Sequence, residues 1–387
     1  MLPAARTAGT ALAARLSTGP ARTLVSADRP RLASRTVSIS LRVPTLLAAV
    51  AAGAAGSTAA RTAARAAPPE ARPTAVVALG DSAASGDGAG DYEPGTRGEG
   101  GNWCHRSPHA YVHHTGLAGA SVNLACSGAR SEHAGYGDAV RYGEGAQAAR
   151  LVEVAGRYRV TTVVVQVGAN DDVALTATGI ACIRAALDRR VPGCRDTVGP
   201  AWPERTAATA TKVERAVRDV QDAMRRAGYA EGDYAFVLAS YASPVTERMI
   251  PLHGPRGCPY SRADAEWGRT VAFPELAAAL RGVAERTGVR FLDLTRATEG
   301  YEACSRSPRT AEWQRRITVD PRALVYGGLD AVGYHLAQES FHPNATGHRR
   351  MAECLAGFVR SGAPSAACVG ADGRLRPVPG APAPARV

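Results

Sequence analysis

Apolar residues along this chain gather into short unbroken runs, separated by longer stretches with helical spacing. Val76-Val77-Ala78-Leu79 is one such run, closed by Gly80-Asp81-Ser82. A run of this length bounded by turn residues predicts a strand buried on both faces of an α/β sheet. The clearest example is TTVVVQVG, residues 161–168, which is continuous and rich in β-branched side chains. Residues 121–125, 233–241 (ended by Pro244) and 289–294 add further strands, the last of them expected to be the final strand. Between the strands, residues 206–227 carry Val213, Val217, Val220 and Met224 on one helical face, and Gly228 ends the pattern. Residues 273–287 and 345–359 predict two more helices, and 110–117 a shorter one. Strands alternating with helices predict a doubly wound parallel sheet in a three-layer α/β/α arrangement.

The polar segments divide the chain further. Residues 86–101 are glycine-rich, and 174–200, 245–270 and 296–338 are loop-rich insertions long enough to be functional or braced. Residues 1–73 are an arginine-, serine- and alanine-rich leader and linker. Within them, residues 43–56 resemble the apolar core of a secretion signal and are too short for a stable membrane span. The alternative is a disordered leader. A catalytic body is expected over 74–368 and a disordered Pro/Ala/Arg tail over 369–387.

The net charge of +11 suggests a nucleic-acid partner until it is located. Residues 1–73 hold ten arginines against Asp28 and Glu70, +8 of the total, leaving +3 for the rest. That excludes a nucleic-acid footprint on the body. The eight cysteines form no Cys-x-x-Cys pair and no His/Cys cluster with zinc-ligand spacing, so no metal is expected. An even count behind an export-like start favours disulfides, with 105 possible pairings.

Ser82 lies just past the carboxyl end of the first strand, where ligands of open α/β sheets bind. A serine there can act as a nucleophile given a base and an anion hole, although Gly-Asp-Ser on its own also reads as a plain turn. His342 sits in a loop closed by Pro343, ahead of the last helix. Gly128 and Asn170 each follow an apolar run.

These four blocks, in this order, resemble the SGNH/GDSL hydrolase family, in its secreted actinobacterial form. The resemblance spans roughly residues 74–360 and implies a flavodoxin-like fold. It implies Ser82 as nucleophile, His342 as general base, and the N–H groups of Ser82 and Gly128 with the Asn170 amide as the oxyanion hole, with no cofactor. The family's Asp-x-x-His is here Glu339-x-x-His342, so either Glu339 or a backbone carbonyl orients the histidine. Secreted members imply three bridges, Cys104–Cys126, Cys182–Cys194 and Cys258–Cys304; Cys354–Cys368 extends that order to the last pair. The α/β-hydrolase elbow, Gly-x-Ser-x-Gly, fails here because Ala84 stands at its last position.

Asp81 is expected to form the turn, Asp171 and Asp172 to cap the segment after Asn170, and His105, His109, His113 and His114 to lie on a solvated rim. His348 is not expected to be catalytic. The expected protein is a secreted, monomeric serine esterase or lipase acting on lipid acyl esters. A carbohydrate O-acetyl esterase is one alternative. A non-catalytic binding module on the same scaffold is the other.

Overall fold

The computed structural model describes residues 71–173, 175–188, 190–250, 257–327 and 335–380. The expected export signal at 43–56, nearly all of the expected leader and residues 381–387 lie outside the described residues. Seven strands form one sheet: β1 (Thr74–Gly80), β2 (Ala120–Asn123), β3 (Arg159–Gln166), β4 (Ala235–Ala239), β5 (Arg290–Asp293), β6 (Ser365–Ala371) and β7 (Arg374–Pro379). Their spatial order is β2-β1-β3-β4-β5-β6-β7. All neighbours run parallel except β6 and β7. The helices are α1 (Ser82–Ser85), α2 (Ser131–Ala134), α3 (Gln147–Arg157), α4 (Leu175–Leu187), α5 (Cys194–Val198), α6 (Trp202–Arg226), α7 (Arg262–Trp267), α8 (Phe273–Thr287), α9 (Arg322–Gly327) and α10 (Ala345–Ser361).

Alternation along β1 explains the layers. Val77 and Leu79 point to the face covered by α3, α6 and α8, where Leu151, Val217 and Leu280 are buried. Val76 and Ala78 point to the opposite face, where Met351, Leu355 and Phe358 of α10 close the second core. Each buried valine or leucine contributes roughly 1.5–3 kcal/mol, so an unbroken apolar strand is what a two-faced sheet requires. All four cystines join the cysteines in chain order: 104–126, 182–194, 258–304 and 354–368.

The C-terminal part corrects two expectations. Residues 289–294 are not the final strand, and 369–380 are not a disordered tail: β6 and β7 form an antiparallel hairpin on the sheet edge. Asp372 and Gly373 make its two-residue turn with φ of +52° and +72°, the left-handed geometry an Asp-Gly pair favours. Pro377 and Pro379 are tolerated because β7 is an edge strand. The Cys354–Cys368 bridge and buried Leu375 pin the hairpin to α10. Residues 110–117, expected to be helical, hold only a 3₁₀ turn at Tyr111–His114. Helix α3, which the apolar pattern did not suggest, buries Ala148, Leu151, Val154 and Ala155 on one face.

Candidate active site

The site is assembled where β1, β2 and β3 end. Gly80 has φ +139°, and a Cβ there would lie 1.9 Å from the Gln166 carbonyl oxygen, so only glycine lets β1 break this close to β3. The Gln147 side chain holds the break, donating to the Gly80 carbonyl at 2.9 Å and accepting its N–H at 2.7 Å. Asp81 is the N-cap of α1, accepting the Ala83 N–H at 3.1 Å. Burial pushes the Asp81 carboxyl up to about 7 against the opposing bonds from Tyr241 and Ala83, with Asp171 raising it further. The Tyr241 hydroxyl donates to Asp81 Oδ2 at 2.5 Å and accepts the Ala169 N–H at 3.0 Å, joining the Ser82 turn to the Asn170 turn. Ser82 then opens α1 and is nearly buried.

The histidine loop reaches the serine from the other side. His342 Nε2 lies 2.8 Å from Ser82 Oγ. His342 Nδ1 lies 3.0 Å from the Ser340 carbonyl oxygen. A carbonyl can only accept, so Nδ1 carries the hydrogen and Nε2 is left as the acceptor for the serine hydroxyl. Phe341 adopts φ +60°, rare for an aromatic residue. This left-handed kink lies between Ser340 and His342, where the chain turns the Ser340 carbonyl toward Nδ1.

Of the two orienters the sequence offered, Glu339 or a backbone carbonyl, it is the carbonyl of Ser340 that lies against Nδ1. The Glu339 carboxylate is buried and accepts the Tyr92 hydroxyl at 2.9 Å, while a main-chain carbonyl holds the imidazole. Ser340 acts through its backbone, for which a sequence carries no side-chain signal.

Gly128 sits in the turn after β2 with φ +71°. Asn170 lies in a 3₁₀ turn after β3, and its Nδ2 donates to the Ala129 carbonyl at 3.1 Å, which brings the Asn170 amide beside the Gly128 turn. Asp171 accepts the N–H and hydroxyl of Ser131, at 3.0 and 2.6 Å, and Asp172 pairs with Arg205. Both therefore brace the Asn170 segment.

The histidines divide. His109 contacts Asp91 at 2.9 Å and His113 contacts Ser121 at 2.8 Å. His105 departs from the expected solvated rim: it is buried, 3.1 Å from Asp87. The glycine-rich loop around it folds inward, with Asp87, Tyr92 and Trp103 buried as well. His348 is buried in α10 and accepts the Tyr111 N–H at 3.3 Å. Burial pushes its pKa down to about 3, so it stays neutral.

A cavity of about 760 Å³ opens onto Ser82, Asn170 and His342. Its lining is mainly apolar and includes Ile183, Trp202, Trp267, Phe273, Leu276 and Phe341. It is of the size and character of a small-molecule site.

The sequence model of the GDSL-like Lipase/Acylhydrolase family matches residues 78–350. Lipase 2 of Streptomyces coelicolor is 28% identical over 292 residues, covering 73% of this chain and 85% of that protein. Among solved structures, an extracellular lipase from Streptomyces rimosus is similar at a TM-score of 0.42 and 21% identity, covering 71% of this chain and 94% of that one. Phospholipase A1 from Streptomyces albidoflavus is similar at a TM-score of 0.43 and 19% identity, covering 75% and 98%.

Proposed function

Since the chain belongs to the GDSL-like lipase/acylhydrolase family, and is thereby a carboxylic ester hydrolase, we propose that Ser82 is its nucleophile and His342 its general base. The observation that carries this reading is the 2.8 Å contact between His342 Nε2 and Ser82 Oγ, with Nδ1 tied to the Ser340 carbonyl. Ser82 attacks the ester carbonyl as His342 takes its proton, and His342 returns that proton to the leaving alcohol. The carbonyl oxygen becomes an oxyanion held by the N–H groups of Ser82 and Gly128 and by the Asn170 amide. Ser82 opens a helix, where the first N–H groups lack intrahelical partners. Each such donor contributes roughly 3 kcal/mol. Water then cleaves the acyl-enzyme by the same route.

In this mechanism Glu339 is not the triad acid. Glu339→Gln keeps the oxygen that accepts from Tyr92. The variant is expected to hold kcat within about threefold, whereas neutralising a true triad acid costs on the order of ten-thousandfold. Steady-state kinetics with a short-chain ester decides it, and a loss of the larger size would restore Glu339 to the orienting role.

The acyl group is proposed to come from a lipid. The support is the cavity: about 760 Å³ of mainly apolar space at Ser82 is far more than the two carbons of an acetyl group fill. Export is proposed from the leader and from the four cystines, which leave no free thiol among the described residues. No described helix is long and apolar enough to cross a membrane.

The test is hydrolysis of p-nitrophenyl esters from acetyl to palmitoyl, with organophosphonate labelling of the same preparation. We expect kcat/KM to rise toward medium and long chains and the label to fall on the Ser82 peptide. A maximum at acetyl would favour the carbohydrate O-acetyl esterase. Neither turnover nor label would leave the binding module.

A further inference from the structure

The glycine-rich loop after Ser82 holds a buried carboxylate that the mechanism above does not use. Asp87 is fully buried, yet every side of its carboxylate has a donor. His105 Nδ1 and the Gly88 N–H each lie 3.1 Å from Oδ1. The Ser127 hydroxyl lies 2.7 Å and Gln338 Nε2 3.1 Å from Oδ2. Ser127 adjoins Gly128, and Gln338 lies four residues before His342. One carboxylate therefore joins the oxyanion turn to the base loop.

Further bonds run beside it. The Tyr92 hydroxyl accepts the Gly88 N–H at 3.0 Å and donates to Glu339, so residues 338 and 339 are both fastened to the Asp87 loop. Gly88 packs directly against the base: at φ +84°, a Cβ there would lie 2.8 Å from the His342 Cβ. Arg315 closes the clamp. Its Nε donates to the Gly88 carbonyl at 2.6 Å, its N–H to the His342 carbonyl at 2.8 Å, and its own carbonyl accepts the Phe341 N–H at 3.1 Å.

We propose that Asp87 is a positioning residue for the general base, tying the His342 loop to the nucleophile loop from behind and placing a buried negative charge near the imidazole, whose Nδ1 is held by the Ser340 carbonyl. This rests on His342 being the base. Burial raises the Asp87 carboxyl, but the charge and hydrogen bond of His105, the charge of His342 and the Ser127 hydroxyl outweigh it and hold it at about 2. The carboxylate is thus ionised across the working range. The other titratable or charged groups around the two residues are His105, Tyr92, Tyr142, His335, Glu339, Arg315 and neutral His348. A negative charge near His342 favours the imidazolium that forms as Ser82 attacks, the electrostatic part of what a triad acid does.

Asp87→Asn keeps the size and Oδ1 while removing the charge. In full-length protein it is expected to lower kcat on a short-chain p-nitrophenyl ester by about 10- to 100-fold, the cost of a misplaced catalytic group, with KM little changed. The acid limb of kcat/KM against pH should move lower, because the imidazolium loses a favourable neighbour. A purely structural role would lower the melting temperature without moving that limb. A kcat within twofold of wild type and an unmoved limb would overturn the proposal. If Asp87→Asn does not fold, Gln338→Leu and Tyr92→Phe each remove one tether, and unchanged kcat in both folded variants would overturn it equally. Wild type and Ser82→Ala are assayed alongside: equal turnover by those two would instead be a failure of the serine–histidine reading.

Discussion

Replacing Ser82 by alanine is expected to lower kcat for ester hydrolysis by about 10⁴- to 10⁶-fold, the range seen when a serine hydrolase loses its nucleophile. The change removes one hydroxyl, whose hydrogen-bond partner is His342 Nε2 at 2.8 Å, so the melting temperature should hardly move. His342→Ala should cost about as much, and the double variant no more than either single one. Nucleophile and base act as a unit, so their contributions do not add. What survives is the oxyanion hole, worth roughly 10³- to 10⁴-fold over water on its own. Steady-state rates on one ester, with a melting curve for each variant, suffice as the measurement. Activity above a few per cent of wild type in Ser82→Ala would remove Ser82 from the chemistry. An additive double variant would mean that the two residues do not work together.

How much of this could be read in the sequence depends on whether a residue acts through its side chain or its backbone. Ser82, Gly128 and Asn170 were legible because each sits where an apolar run ends, and the sheet carries those ends to one place. His342 was legible from its block before α10, and its partner only as a choice between Glu339 and a backbone carbonyl. The eye goes to Glu339 because a carboxylate three residues before the histidine fits the known spacing. The chain instead uses the Ser340 carbonyl beside a left-handed Phe341, and a backbone angle leaves no mark on composition.

The same distinction explains the two ends of the body. Residues 86–101 showed only their glycine content in the sequence, and pairing among Asp87, His105 and Tyr92 lets the polar groups of this region be buried. The C-terminal hairpin was hidden by its prolines and arginines, although the Asp372-Gly373 turn signal lay in plain view.

Gly80→Ala should produce the largest loss of stability of any change of one methyl group near the site. Gly80 holds φ +139°, and a Cβ there would stand 1.9 Å from the Gln166 carbonyl oxygen and 2.7 Å from its carbon. Both atoms belong to the backbone of β3 at the centre of the sheet, with Gln166 the register partner of Gly80, so no side chain can swing away to make room. Relief requires the strands to part. That would break the Gly80 bonds to Gln147 and the 3.0 Å bond from the Asp81 N–H to the Gln166 carbonyl. Strained backbone costs about 1–3 kcal/mol, and overpacking a fixed core a further 1–3 kcal/mol or so. A total of about 4 kcal/mol is a large part of the roughly 5–15 kcal/mol that keeps a protein folded. At about 2–4 °C per kcal/mol the melting temperature should fall by around 10 °C. Gly228→Ala is the control, since Gly228 also has positive φ, +89°, but a Cβ there meets nothing within 4 Å. It should show the backbone strain alone, about 1 kcal/mol. Because Gly80 is two residues from Ser82, whatever folded Gly80→Ala remains should also hydrolyse esters more slowly, while Gly228→Ala keeps its rate. Equal melting temperatures for the two variants would mean that the β1 turn can shift away from β3, and that this close approach is not what fixes the nucleophile.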